Sequence, residues 1–336
     1  MLATFFPLAF SASSMKSLHK CAMLTFREQI QHLNAYSKNP DLIAGGHVAK
    51  ACELARVAYF TEGKDEDDCI ELAQEYILDA EDTGDTVKTN EATAFALGQY
   101  FRKFRLSESL PPCRLSDGTH AVEYRFELDT GIEHPEIKGR NIVFSGRLDY
   151  LCEKVIGNTV TRHGLDEKTC KSVYRVQGSK TIDYAKEADQ YRVDSQILSY
   201  CFAARALGVP LTSFFIRRIP IMKDFESAFE LELQVNDFML DLWWKGTREL
   251  IMDYKEKYLL YKSGLFAASE VFVPKYQEHA CLSYGRTCRY LDGCLSKDGV
   301  GFLTERFSQR IWDRDKREEV DLLTYLKENL NESKVN

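Results

Sequence analysis

The sequence lacks any apolar run long enough to cross a bilayer, and it lacks the basic segment with which export signals begin. Its apolar start, MLATFFPLAF, is followed at once by polar Ser and Lys residues. We therefore interpret this start as a buried opening segment and expect a cytoplasmic protein without membrane contact. No internal repeat, low-complexity segment or Walker-type phosphate loop is present, so the chain has no P-loop ATPase of its own.

The ten cysteines do not indicate a disulfide framework, because no secretion signal accompanies them. Six are scattered and are expected to be small buried hydrophobic residues: Cys52, Cys69, Cys113, Cys152, Cys170 and Cys201. The last three are Cys281, Cys288 and Cys294, in a C-x6-C-x5-C spacing. Thiols this close in a reducing compartment usually bind a metal, with a fourth ligand from His279 or from elsewhere in the chain.

Net charge is −7, but the acidity is local. The segment 62–85 has eleven acidic residues against one basic residue, and the rest of the chain has 43 basic and 40 acidic residues. We interpret the acidic segment as a solvated helical face. Basic clusters at Arg102–Lys103–Arg105 and Arg217–Arg218 are either phosphate-binding or ordinary surface, so charge neither requires nor excludes DNA binding.

Hydrophobic periodicity predicts an α/β or α+β fold with a mixed central β-sheet flanked by helices. Helices are predicted over 14–35, 42–59 and 182–207 and from Asn236 or Asp237 onward, and strands over 122–128, 141–151, 159–168, 213–222 and 228–235. Helix 182–207 would cross over the sheet. We expect one domain, 1–336, with a helical insertion or cap at 62–118, a cysteine-rich segment at 275–296 and a charged helical tail at 300–336.

Two short segments place acids and a lysine on neighbouring strands. Asp149 lies in GRLDYL, and Asp166, Glu167 and Lys168 follow in LDEKT. Because side chains alternate along a strand, Asp166 and Lys168 share one face and Glu167 points to the other. If the strands pair, Asp149 joins that face, and a hard divalent cation would relieve the repulsion between the carboxylates. The alternative is an exposed pair of strand-end carboxylates beside a surface lysine.

The helix that follows adds two polar residues. Gln196 and Tyr200 are spaced i, i+4, so they lie on one helix face directly after the strands that carry the acids. Such a pair can hold a phosphate or orient a neighbouring base. By itself the spacing favours an ordinary amphipathic helix with a partly buried tyrosine.

In this order and spacing, GRLDYL, DEKT and QILSY resemble motifs of the RecB-like nucleases of the PD-(D/E)XK superfamily. The resemblance implies a restriction-endonuclease-like core, with Asp149 and Asp166 as metal ligands and Lys168 as the catalytic lysine. Gln196 and Tyr200 would position the phosphate or the lysine. Upstream, AGGHVAKACELA resembles the helical first motif of the family, which would make His47 a further metal ligand.

The N-terminal segment FSASSMKSLHKCAMLTF resembles the opening of the iron–sulfur branch of this family, which includes the AddB and CRISPR-adaptation nucleases. Ala22 stands where that pattern usually has proline. The resemblance implies a [4Fe–4S] cluster held by Cys21 together with Cys281, Cys288 and Cys294, which would tie the two ends of the chain together. Zinc, held by the four thiolates or by three of them and His279, is the alternative.

These features together predict a divalent-metal-dependent deoxyribonuclease that uses Mg²⁺ or Mn²⁺. By family resemblance it would be an exonuclease acting on single-stranded DNA ends, with a helicase or a recombination or adaptation protein as partner. One alternative is a CRISPR-adaptation-like processing nuclease. Another is a non-catalytic DNA-binding subunit with a vestigial site, and the third is a zinc-stapled protein of unrelated function.

Overall fold

The computed structural model describes residues 2–35, 40–82, 84–115, 118–222, 226–275, 280–283, 286–296, 299–313 and 318–332. It is mixed α/β, with a central mixed sheet flanked by helices. The chain divides into two compact units: unit 1 comprises Met1–Ser37, Leu128–Phe144 and Lys245–Asn336, and unit 2 comprises Lys38–Glu127 and Ser145–Trp244. Within the described ranges no helix has both the length and the apolar character needed to cross a membrane.

The helices are α1 (Ala12–Lys20), α2 (Ala22–Thr25), α3 (Pro40–Arg56), α4 (Glu66–Asp79), α5 (Asn90–Lys103), α6 (Tyr184–Asp189), α7 (Ser195–Ala206), α8 (Asp237–Lys262), α9 (Ala268–Val271), α10 (Leu291–Leu295), α11 (Gly299–Arg306) and α12 (Leu322–Glu332). The strands are β1 (Ala9–Phe10), β2 (Leu33–Ala35), β3 (Val122–Glu133), β4 (Asn141–Ile156), β5 (Thr159–Cys170), β6 (Ser213–Pro220), β7 (Phe229–Leu233), β8 (Leu282–Ser283), β9 (Arg286–Thr287), β10 (Phe307–Asp313) and β11 (Glu318–Asp321). π-Helical turns follow α2 and α3, at Phe26–Ile30 and Val57–Thr61, and a 3-10 turn covers Leu106–Glu108.

The sheet of unit 2 runs in the order β4, β5, β6, β7, and β3 pairs with β4. β4 and β5 are antiparallel, β5 and β6 parallel, and β6 and β7 antiparallel. A parallel pair needs a crossover connection, and α6 and α7 supply it between β5 and β6. The five strands predicted from alternation are therefore confirmed, and so is the crossover.

Helices α3, α4 and α5 pack around one apolar cluster in unit 2. Small residues on α3 and α4, such as Ala51, Ala55 and Ala73, are fully buried there, which lets the helices approach closely. Capping side chains fix two of the helix starts: Asp65 accepts a hydrogen bond from the Asp67 amide at 2.9 Å, and Thr89 accepts one from the Ala92 amide at 3.2 Å. The predicted helical block after residue 62 is thus present.

The opening segment is buried in unit 1, as expected. Phe6 and Phe10 are fully enclosed, and their rings lie against Tyr254 of α8 at 6.0 and 6.2 Å between centroids. β1 runs parallel to the start of β4, with Phe10 opposite Phe144. Two-residue strands of this kind carry too little alternation to be recognised in a sequence.

Three of the predicted helical segments differ from the structure. The 14–35 segment is interrupted at Cys21, which is extended (φ −164°, ψ 123°), and it ends in β2. The 182–207 segment forms two helices, because the Asp194 side chain accepts a hydrogen bond from the Gln196 amide at 2.7 Å and so begins α7 anew. The 300–336 tail is not purely helical, since it contains β10 and β11 between α11 and α12.

His32 generates a prediction about acid stability in unit 1. Its backbone has a positive φ of 50°, its side chain is buried, and its ring lies 3.2 Å from the Phe5 carbonyl oxygen. Burial lowers the pKa of His32 to about 4, so the unfolded chain takes up a proton between about pH 6.5 and 4 and the folded chain does not. Stability is therefore lost as the pH falls through this window.

We expect the free energy of unfolding to fall by about 2 kcal/mol more in the wild type than in His32→Asn between pH 7 and pH 5. Asparagine tolerates the positive φ and does not titrate. Urea unfolding of both proteins at the two pH values measures the difference. Equal acid losses in the two proteins would contradict this account.

Candidate active site

Asp149 and Asp166 face each other on neighbouring strands of unit 2. The β4–β5 ladder ends at the pair Tyr150–Leu165, and Asp149 and Asp166 are the next residue on each strand, with their side chains in contact. Cross-strand neighbours project to the same face of a sheet. Burial, and then the charge of Asp166, raise the pKa of the Asp149 carboxyl well above its usual value. The structure therefore brings the two acids together on one face.

Lys168 lies on the same face, with its Nζ 2.6 Å from Asp166 Oδ2. Burial would lower the pKa of the Lys168 ammonium, but the charge and contact of Asp166 outweigh it, and the net pKa is raised. The ammonium also donates a hydrogen bond to Gln196 Oε1 at 3.1 Å, and Gln196 Nε2 donates one to the Tyr200 hydroxyl at 2.7 Å. All five residues, Asp149 included, thus form one connected group.

Aromatic packing holds Tyr200 in position. Its ring meets the ring of Phe126 edge-on at 6.1 Å and stacks on the ring of Phe214 at 6.0 Å. Burial and the charges of Asp149 and Asp166 raise the pKa of Tyr200 well above its usual value, so the hydroxyl stays protonated. Helix α7 therefore presents a fixed, neutral hydrogen-bonding pair to the lysine.

The carboxylate of Asp166 has unused hydrogen-bonding capacity. The side chain is fully buried, yet neither of its oxygens accepts a hydrogen bond of proper geometry, and Lys168 contacts it only as an ion pair. Such a buried carboxylate facing a second one fits a hard divalent cation, which prefers oxygen ligands. Among the described residues, however, no three His, Cys, Asp or Glu side chains are already grouped as a complete metal site.

His47 lies on α3 and is half-buried. Its ring meets the ring of Tyr76 edge-on at 6.4 Å, and its Nδ1 atom is buried without a hydrogen-bond partner. Burial lowers the pKa of His47, and the charge of Glu81 opposes that effect. These neighbours belong to α4 and the segment after it, and the role of His47 as a metal ligand stays a prediction.

Glu123 is a further acid near this group, and it belongs to no recognisable sequence motif. Its side chain is 11% exposed, and Arg147 Nε lies 2.5 Å from its Oε2. Burial, only partly offset by Arg147, raises its pKa to about 7, and its charge acts on both Asp149 and Tyr200. The backbone of Glu123 has a positive φ of 54°, which is unfavourable for a residue other than glycine.

Glu167 points to the opposite face of β5, as alternation predicts. There its carboxylate forms an ion pair with Arg56 of α3 and accepts a hydrogen bond from the Tyr100 hydroxyl at 2.7 Å. Burial alone would raise the pKa of Glu167, but Arg56 and Tyr100 lower it below the usual value. The guanidinium of Arg56 also lies over the ring of Tyr150 at 4.3 Å. This network holds β5 in place at Glu167, the residue between Asp166 and Lys168.

The Arg217–Arg218 cluster does not form an exposed basic patch. Arg217 Nε pairs with Glu230 at 2.8 Å, and its side chain is 13% exposed. Arg218 is buried and contacts Tyr191 and Glu187. Both arginines bind side chains within the protein. The cluster is therefore neither a phosphate-binding surface nor an ordinary solvated surface.

The four cysteines of the predicted cluster all belong to unit 1, but no three potential metal ligands are grouped together among the described residues, so the cluster stays a prediction. The Cys288 amide donates a hydrogen bond to the Cys281 carbonyl at 2.7 Å, and Cys21 acts electrostatically on Cys281, Cys288 and Cys294. Burial and neighbouring thiols raise the pKa values of Cys281 and Cys288, and that of Cys294 to about 11.

The other cysteines behave as expected, since all six scattered ones are buried and free. His279, the alternative zinc ligand, lies outside the described residues. Arg27, on the π-helical turn after α2, is buried and lies close enough to Cys294 for a hydrogen bond, and it donates another to Gln31 at 2.6 Å.

Comparisons with known proteins do not assign this chain to a family. No protein-family model matches this chain, and no curated protein does. Among solved structures, one described as "Crystal structure of SSO0001" is similar over 68% of this chain and 95% of its own, at 13% identity and a TM-score of 0.26. A TM-score this low supports no conclusion about fold or function.

The Arg56–Glu167 pair generates a prediction about stability. Removing one partner of a buried ion pair leaves the other charge uncompensated, so we expect Arg56→Met to lower the free energy of unfolding by about 3–5 kcal/mol. Glu167→Gln combined with Arg56→Met should recover part of that loss. Urea unfolding of the single and double variants measures the coupling.

Lys50→Met is the matched control, because it removes a half-exposed ion pair with Glu53 on the same helix. We expect it to change the free energy of unfolding by less than about 1 kcal/mol. Additive effects of the Arg56 and Glu167 substitutions would show that the pair does not hold β5.

Proposed function

We propose that this chain is a divalent-metal-dependent deoxyribonuclease. The observation that carries the proposal is the connected group in which Asp149 faces Asp166 and Lys168 links Asp166 to Gln196 and Tyr200. Two carboxylates, a charged lysine and a fixed hydrogen-bonding pair on one sheet face are the groups that phosphodiester hydrolysis needs. Their order in the chain resembles that of the RecB-like nucleases, which supports a restriction-endonuclease-like core.

Asp149 and Asp166 would hold Mg²⁺ or Mn²⁺ through carboxylate oxygens, and His47 would add a nitrogen ligand that makes Mn²⁺ at least as suitable. The bound ion would supply Lewis-acid polarisation of the phosphate and a more acidic water. The raised pKa of Asp149 describes a pair of acids that repel each other, and a cation between them would favour the ionised form of both.

Lys168 acts as a charged donor in this proposal. Its pKa is raised, so it is protonated at neutral pH and cannot serve as a general base. A fixed ammonium beside the cleaved phosphate stabilises the negative charge that develops there. Gln196 and Tyr200 keep the ammonium in place, which makes them positioning residues.

We further propose that Cys21, Cys281, Cys288 and Cys294 hold a [4Fe–4S] cluster as a structural staple, with zinc as the alternative. The electrostatic influence of Cys21 on the three C-terminal cysteines supports the proposal, and thiolates suit either metal. Single-stranded DNA ends are the proposed substrate, from resemblance to exonucleases of this kind. A helicase or a recombination or adaptation protein is the proposed partner.

The catalytic proposal is tested with Lys168→Met and Asp149→Asn. Each should lower the rate of single-stranded DNA hydrolysis by at least about 100-fold, because each removes charge stabilisation or a metal ligand. Lys154→Gln is the matched control, since this exposed lysine lies on β4 outside the connected group. End-labelled DNA, with EDTA and with Mn²⁺ restored, gives the rates.

A folded Lys168→Met protein that cleaves at the wild-type rate would remove the assignment. So would hydrolysis that continues undiminished in EDTA. Wild-type protein that binds DNA but never cleaves it, with Mg²⁺ or Mn²⁺, would favour the vestigial DNA-binding subunit instead.

The cluster proposal is tested by anaerobic purification and visible absorption. Cys288→Ala should lose colour and iron together, and its free energy of unfolding should fall by about 4 kcal/mol, by analogy with opening a long covalent loop. Cys69→Ala is the control, because Cys69 is a buried free thiol of α4 and should leave the colour unchanged. A colourless wild-type protein that contains zinc would overturn the iron–sulfur assignment in favour of zinc.

A further inference from the structure

A cavity of about 320 Å³ opens in unit 2 beside the connected group. Its walls include Tyr124 and Phe126 of β3, Leu151 of β4 and Ala204 of α7, and two arginines, Arg114 and Arg162, also line it. This volume lies at the lower end of the range for small-molecule pockets. It therefore suits one planar ring system rather than a large ligand.

The cavity lies on the same sheet face as the carboxylates. Leu151 is two residues beyond Asp149 on β4, and Arg162 is four residues before Asp166 on β5, so strand alternation sets all four on one face. Each residue advances about 3.3 Å along a strand, which puts Leu151 about 7 Å from Asp149 in that direction. The Phe126 ring that lines the cavity is also the ring that meets Tyr200 edge-on.

The lining combines an apolar slot with positive charge at its rim. Leu151 and Ala204 are buried, and Tyr124 is half-buried. Arg114 is exposed, and Arg162 is only loosely paired, with its Nε 3.7 Å from Glu153. Aromatic and apolar walls suit an unstacked base, and guanidinium groups suit a phosphate. One nucleotide of a single strand carries both.

We propose that this cavity is a nucleobase subsite for the DNA strand that the connected group would cleave. Tyr124 and Phe126 contact the base of one unpaired nucleotide, and Arg114 and Arg162 contact the adjoining phosphate. The inference rests on the proposed function and adds a reason for single-stranded substrates, since a base must leave the duplex stack to enter such a slot.

The test is an abasic scan of binding. A labelled single-stranded oligonucleotide, with one abasic site moved along it, is titrated with the full-length protein in EDTA and followed by fluorescence anisotropy. In the wild type, one position should weaken binding roughly 5- to 100-fold, the range expected for losing one base–aromatic stack. Tyr124→Ala and Ala204→Leu should each abolish that dependence on position.

Arg162→Gln and Arg114→Gln test the phosphate contact at the rim. Each should lower the slope of log affinity against log salt by about 0.7, the value for one phosphate contact with a single strand. Lys154→Gln makes the same charge change on the opposite face of β4 and should leave the slope unchanged. Circular dichroism checks that each variant folds. If Ala204→Leu does not fold, the two arginine variants still test the subsite.

The subsite would be contradicted if the affinity of the wild type did not depend on the position of the abasic site. A folded Tyr124→Ala protein that keeps the wild-type dependence on position would contradict it as well. Unchanged salt slopes for both arginine variants would do the same. Binding with the expected profile supports the subsite even if Mn²⁺ brings no hydrolysis, a result that would overturn only the proposed nuclease activity.

Discussion

The repulsion between two carboxylates held opposite each other is the constraint on which the sheet face of unit 2 depends. The β4–β5 ladder ends at the pair Tyr150–Leu165, directly beside Asp149 and Asp166, and β5 continues as a regular ladder with β6 through Asp166, so the two acids are held close together. Lys168 compensates Asp166, and burial with the neighbouring charge keeps the pKa of Asp149 raised. A face with this unresolved repulsion is unfavourable for stability alone, and proteins retain such arrangements where function requires them.

β5 carries its three consecutive charged residues to two different environments. Asp166 and Lys168 point toward α7, and Glu167 points toward α3, where Arg56 and Tyr100 satisfy it completely. The two faces therefore have opposite roles. One network is fully paired and stabilises the strand, and in the other the buried Asp166 carboxylate faces a second acid and is compensated by the ion pair with Lys168 alone. The Glu167 face therefore holds the strand against the repulsion on the Asp166 face.

Much of this arrangement could be predicted from local spacing. Alternation along LDEKT separates Asp166 and Lys168 from Glu167, and i, i+4 spacing puts Gln196 and Tyr200 on one helix face. In each case a period of two or of 3.6 residues determines the outcome, so the sequence contains the information locally.

The rest depends on distant contacts that no local pattern shows. Glu123 is a single acid in a strand, and only its positive φ and the charges around it mark it as part of the group. Arg217 and Arg218 look like a basic surface until β6 is seen paired between β5 and β7. The break before α7 and the strands β10 and β11 likewise follow from caps and pairings formed in three dimensions.

The division of the chain implies an order of events during synthesis. Unit 2 ends at Trp244, whereas unit 1 needs residues from Lys245 onward to join its first segment. On the ribosome, unit 2 can therefore acquire its contacts before the three cysteines proposed to share a cluster with Cys21 have been made. Under that proposal the Cys21 thiol is open to oxidation until Cys294 emerges, so the quality of the newly made protein should depend on the redox state of the translating cell.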